Sequence, residues 1–269
     1  MENNEPGFWD HLNELRKYLI RSVIVFFAFF IVAFSFREIL FDRFLLVLLD
    51  PNFITYKWLM QLGAFTGIGS GEAISINFIL INTQLAGQFM AHITLSALAG
   101  FVLSIPFLIF QLWLFVKPAL YPNESRIIKR NTVVLIFLFL LGCAFAYFII
   151  TPLSVVFLGN YTISDTVKNT ITLGSYLSVF SSSLFLTGLL FELPVLMSIL
   201  AKIGIVSFKM LKRFRKHAIV VGLSLSAIIT PTTDPFTMTV VAIPLYLLFE
   251  VSIVIVHQQE RRHVRKNNT

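Results

Sequence analysis

The stretch SYLSVFSSSLFLTGLLFELPVLMSIL, Ser175 to Leu200, decides the fold, because it is apolar enough to cross a membrane and yet carries a carboxylate at Glu192. An ionisable side chain in hydrocarbon costs several kcal/mol unless another group answers it. Whether Glu192 lies in hydrocarbon depends on the rest of the chain. The 269 residues are 57% hydrophobic and 13% charged, where a soluble domain carries about 25% charge. Twenty-nine phenylalanines and a mean hydropathy of +0.82 leave too little polar surface for a fold in water. The composition therefore predicts an all-α integral membrane protein.

The net charge of +7 could suggest a nucleic-acid partner, but its distribution argues against one. Of 21 Lys and Arg, 17 fall in four places: Arg16 to Arg21, Lys117 to Arg130, Lys202 to Lys216, and Arg261 to Lys266. Long apolar runs separate these clusters, which is the positive-inside pattern of a multispanning chain. Six spans follow, at about 18–40, 88–116, 131–153, 176–201, 217–230 and 238–256, with both termini inside and 257–269 as a basic cytoplasmic tail. The fifth covers only about 21 Å at 1.5 Å per residue, short of a core of about 30 Å. The expected shape is a concave bundle with short fifth and sixth spans. The segment after the first span is broken by Pro51 and GIGSG, and reads as an external loop with one or two short amphipathic helices. The first eighteen residues are polar or mixed and do not form a removable signal peptide.

Glu192 admits three readings: a proton or ion relay, a polar anchor for a partner helix, or an internal hydrogen bond to serine or threonine. Ser181 and Gly188 fall roughly on its helical face, and Thr187 precedes it on the same span. Pro194 removes a backbone donor, so the span should bend beside the carboxylate. Glu14 lies just before the first span, where a solvated amphipathic lead-in is the plain reading; Glu124 also falls on the inner side. Two inner carboxylates in a basic setting suggest a site for a cationic partner. Asp234, within TPTTDPFT, reads as a turn-capping residue. Glu250 is expected to reach for the interface or pair with a base. The single cysteine, Cys143, allows no internal disulfide. No catalytic constellation, metal cluster or phosphate-cradling glycine motif is visible, so neither an enzyme nor a cofactor is expected. A small-solute transporter would carry an internal repeat and broken helices in both halves, and no repeat is seen.

Four motifs in order resemble the TatC family, the multispanning receptor component of the twin-arginine protein translocase. They are HLNELRKYL (His11 to Leu19), FQLWLFVKPALYPNE (Phe110 to Glu124), GLLFELP (Gly188 to Pro194), and TPTTDP followed by AIPLYLLFE (Thr230 to Glu250). The resemblance covers nearly the whole chain. It implies a receptor in the bacterial inner membrane that binds the twin-arginine signal peptides of folded cargo. It further implies assembly with TatA- and TatB-like single-span subunits, in an oligomeric complex driven by the proton-motive force. By motif match, Glu14 and Glu124 would receive the paired arginines, with Phe115, Pro118, Leu120 and Tyr121 shaping the patch. A guanidinium group favours a bidentate carboxylate partner, which suits that ligand. Glu192, with Thr187, Gly188 and Pro194, would form an intramembrane patch where partner helices dock.

Overall fold

The computed structural model describes residues 8–66, 78–116, 125–162, 164, 169–230 and 235–267. The chain opens with α1 (Phe8–Ser35), then a π-helical turn (Ile39–Leu45), a 3-10 turn (Leu46–Leu49) and α2 (Ile54–Thr66). Strand β1 (Ile79–Ile81) leads into α3 (Gly87–Val116). Next, α4 (Ser125–Phe145) passes through a π-turn (Ala146–Ile150) into α5 (Thr151–Asn160). Strand β2 (Thr170–Thr172) feeds α6 (Leu173–Leu190), followed by α7 (Leu193–Lys202), α8 (Phe208–Arg213), α9 (Arg215–Ile229) and α10 (Pro235–Asn267).

Among the described residues, five helical stretches are long and apolar enough to cross a membrane: Asn13–Ser35, Gly87–Gln111, Thr132–Asn160, Leu173–Lys202 and Thr237–Arg261. The protein is thus a largely α-helical, multispanning membrane protein. Its lipid-facing sides carry exposed Leu19, Ile24, Phe27 and Ile31 on α1, and Ile243, Leu247, Val251 and Val254 on α10. Helix α9 has 15 residues, about 22 Å of rise, and stays below the length of a full crossing. The expected sixth span, 238–256, lies within a longer helix. Helix α10 runs for 33 residues and includes most of the basic tail.

One departure from the all-α expectation is small. Strands β1 and β2 pair in parallel, with Ile79 opposite Thr170 and Ile81 opposite Thr172. The pair ties two loops distant in sequence and sets α3 and α6 off side by side in the same direction. Phe101 and Phe185 then meet across them at 5.3 Å between ring centroids.

Where the segment 39–49 departs from α-helical hydrogen bonding, buried tyrosines answer its carbonyls. Tyr147 donates to Phe44 O at 2.9 Å, Tyr176 to Leu45 O at 2.8 Å and Tyr56 to Leu48 O at 2.7 Å. Thr55 likewise donates to Phe148 O. Burial pushes the Tyr56 phenol above its ordinary pKa. Phe44 stacks on Tyr147 at 4.6 Å and meets Phe180 edge-on, so this end of the bundle is an aromatic core wrapped around an irregular backbone.

Between spans the packing depends on small residues, since lipid offers no hydrophobic reason for helices to associate. A Cβ on Gly100 would sit 2.9 Å from the backbone of Phe30, so α1 and α3 touch backbone to backbone there. At the α4–α6 crossing, a Cβ on Gly142 would meet Phe191 and the Thr187 carbonyl, and one on Gly188 would meet Phe139 and Cys143.

Candidate functional site

The FELP sequence interrupts the fourth candidate span. Helix α6 ends at Leu190, Phe191 and Glu192 form a turn, and α7 restarts at Leu193. Pro194 occupies the first turn of α7, where an N–H would have no acceptor within α7 itself. Leu190 O, four residues back, loses the donor a regular helix would supply. The chain compensates locally. Glu192 N donates to Leu189 O at 3.1 Å, and Val195 N and Leu196 N converge on Glu192 O at 3.1 and 3.0 Å.

The carboxyl of Glu192 lies beside the backbone of Phe139 in α4, yet neither oxygen closes a hydrogen bond by distance and angle. Both oxygens are shielded from solvent. The hydroxyls of Ser181, Ser183 and Thr187 do not reach it; each is itself buried without a partner. Gly188 faces α4, and its lack of a side chain lets Phe139 and Cys143 approach. Thr187 and Pro194 are both buried. Glu192, Thr187, Gly188 and Pro194 are therefore gathered at one helix crossing, with polar atoms left over.

Glu14 is exposed on the first turns of α1. Helices α1 and α3 run antiparallel: Phe34 stacks on His92 at 3.9 Å, while Phe30 faces Gly100 further along α3. Glu14 lies sixteen residues before Phe30, and Val116 sixteen residues after Gly100, so both are about 24 Å from that contact, at the same end. There α3 hands over to the stretch holding Pro118, Leu120, Tyr121 and Glu124. Those four residues, and Asp234, lie outside the described residues, and Phe115 is located only as a backbone position in the last turn of α3. Glu14 and the end of α3 thus share one end of the bundle.

The same end collects other basic residues. Lys202 closes α7, and Phe208 N donates to the Glu260 carboxylate at 2.7 Å, which sets the 202–216 segment against the end of α10. Arg215 meets Glu250 at 2.7 Å, and Tyr246 donates to the other Glu250 oxygen at 3.0 Å. Glu250 thus finds its base across a helix pair. Two further features, each joining segments distant in sequence, were not expected from the sequence. One is the contact of Gln259 with Ser198, which locks α10 to α7. The other is a polar groove of about 600 Å³ between the starts of α3 and α6, lined by Asn82, Gln84, Ser175, Ser178, Ser181 and Ser182. Its serine spacing on α6 was visible, but its α3 wall depends on the β1–β2 pairing.

A multi-pass membrane protein with an exposed acidic residue at its basic end, and an orphan carboxyl at a broken helix inside the bundle, is the class these features define. Residues 10–244 match the family model of the Sec-independent protein translocase protein TatC. The chain is 36% identical over 256 residues to the Sec-independent protein translocase protein TatC of Blattabacterium sp. subsp. Periplaneta americana, covering 94% of this chain and 96% of that one. With the protein of the same name from Aquifex aeolicus it shares 33% over 245 residues, covering 91% and 92%. A crystal structure of the twin-arginine translocase receptor TatC in DDM superposes with a TM-score of 0.67 at 32% identity, covering 91% of this chain and 99% of that one. The chain belongs to the TatC family.

Proposed function

We propose that this protein is the receptor subunit of a twin-arginine translocase. It binds the twin-arginine signal peptides of folded cargo and assembles with TatA- and TatB-like single-span subunits in an oligomeric complex. The observation that carries this reading is family membership over nearly the whole chain, together with relatives of known structure described as the twin-arginine translocase receptor. Its work is recognition and assembly, without covalent chemistry, and the proton-motive force drives export.

In this reading α9 is a short fifth span, and the six spans leave both termini on the cytoplasmic side of the bacterial inner membrane, around a concave bundle. The gathering of basic residues at one end supports that orientation. Glu14 and Glu124 receive the two arginines, with Phe115, Pro118, Leu120 and Tyr121 around them; the exposure of Glu14 at that end supports its part. Glu192, with Thr187, Gly188 and Pro194, docks a partner helix. The two unpartnered oxygens favour this over an internal hydrogen bond, since a polar group on an incoming helix could satisfy them. Asp234 caps the outer turn between the last two spans.

The test is retention of a twin-arginine peptide by the protein purified with its membrane neighbours. The reading expects retention, and loss when the two arginines are replaced by lysines. Equal retention of both peptides overturns it.

A further inference from the structure

Residues 202–216, KIGIVSFKMLKRFRK, contain six basic residues and no acidic one. The segment is held by its backbone and by two buried side chains, so the backbone that carries its cations has a fixed place. Helix α7 closes with Gly204 N bonded to Ala201 O at 3.1 Å and Ile205 N to Leu200 O at 3.0 Å. That closure requires the left-handed backbone of Gly204, φ +85°. Val206 and Leu211 are buried and pack with Ile253 and Val256 of α10. The short helix α8 is capped twice at its start: Ser207 Oγ accepts from Met210 N at 3.3 Å, and Glu260 accepts from Phe208 N. Arg215 ties the far end to Glu250.

What this anchoring leaves outside is amphipathic. Ile203 is 67% exposed, Ile205 62%, Met210 45% and Phe214 44%. Between them lie exposed Lys202, Lys209, Lys212, Arg213 and Lys216, and among the described residues Arg215 alone of the six basic residues forms an ion pair. Lys212 lies over the Phe208 ring at 6.0 Å, and large apolar side chains in this number beside cations without an ion pair, at the end of a membrane helix, have one solvent that satisfies both. The apolar groups enter the acyl boundary, and the cations meet phosphates of anionic headgroups.

We infer that the 202–216 segment is an anionic-phospholipid site: a rigid platform whose Lys209, Lys212, Arg213 and Lys216 hold headgroup phosphate while Ile203, Ile205, Met210 and Phe214 seat in the same leaflet. The site goes beyond the general charge bias that orients spans. That bias needs only cations in a loop, whereas this segment is pinned at Val206, Phe208, Leu211 and Arg215. The inference does not rest on the peptide-receptor reading, and it holds whichever side of the membrane the segment faces.

The test uses the full chain in nanodiscs of phosphatidylcholine containing phosphatidylglycerol, both leaflets alike, with bound lipid measured after extraction into detergent. The protein is expected to retain phosphatidylglycerol over phosphatidylcholine. The variant Lys209→Gln/Lys212→Gln/Arg213→Gln/Lys216→Gln loses the preference, at about fivefold for each cation removed near the surface. Lys209→Arg/Lys212→Arg/Lys216→Arg keeps it. All four positions are exposed, and size-exclusion chromatography of each variant is the check on folding. Retention of both lipids alike by the unaltered protein overturns the inference. So does undiminished phosphatidylglycerol on the glutamine variant, or displacement of the lipid by a soluble acidic peptide at equal charge. Twin-arginine peptide binding, measured in parallel on the unaltered protein, reports separately on the receptor reading.

Discussion

Replacing Gly142 by alanine perturbs the helix crossing that fixes Glu192. The new Cβ would lie 2.9 Å from Cβ and Cγ of Phe191 and 2.9 Å from the Thr187 carbonyl oxygen. Carbon atoms settle at about 3.5–4.0 Å, so α4 and α6 must part by roughly half an ångström or more. The obstructing oxygen is backbone and cannot swing aside. Overpacking of this kind costs about 1–3 kcal/mol, and alanine returns about 1 kcal/mol of helix propensity. The net expectation is a destabilisation of about 0–2 kcal/mol. Gly222, within α9, gives the opposite sign, because a Cβ there meets nothing within 4 Å. Gly222→Ala should stabilise by up to about 1 kcal/mol. Cys143 supplies the assay: it is the chain's single cysteine, is buried, and sits at the same crossing. A thiol-reactive dye followed during heating in detergent reads its release. Gly142→Ala should label at a lower temperature than the unaltered protein, and Gly222→Ala at the same or a higher one. If Gly142→Ala labels as late as Gly222→Ala, the close crossing is not what holds α4 against α6.

Further outcomes follow from the same contacts. Tyr176→Phe leaves Leu45 O without its donor and should cost about 1–3 kcal/mol in the same heating assay. Glu250→Gln removes a partly exposed ion pair and should change stability by about 1 kcal/mol or less, with any effect fading in high salt. Glu260→Ala strips one cap from α8; hydrogen exchange at Phe208 should quicken while the spans keep their protection. Glu192→Ala should weaken crosslinks from neighbouring positions to partner helices without lowering the temperature at which Cys143 is released. A large drop in that temperature would instead assign Glu192 to internal structure.

Much of this architecture was legible because lipid imposes a simple rule on sequence. Apolar runs separated by basic clusters located the long helices, and Pro194 announced the break beside Glu192. The features missed are those where distant segments meet. Strands of three residues carry no periodicity, so Ile79–Ile81 and Thr170–Thr172 could be recognised only as partners of each other. The tyrosine clamp on residues 44–48 likewise joins groups up to 131 residues apart. The basic tail was legible as charge but not as a continuation of α10; Glu250, Gln259 and Glu260 make contacts along that helix that composition does not reveal. Of the residues proposed to receive the arginines, the motif match named Glu14 and Glu124, and α1 accounts for the position of Glu14 alone.

The central claim is that carboxylates at the basic end read a pair of arginines. Its most direct measurement is crosslinking of a twin-arginine signal peptide to the full chain in membranes, compared across Glu14→Ala, Glu124→Ala and the unaltered protein. The account predicts a strong crosslink that falls in each variant and in the unaltered protein with a Lys-Lys peptide. Undiminished crosslinking in both variants would contradict it.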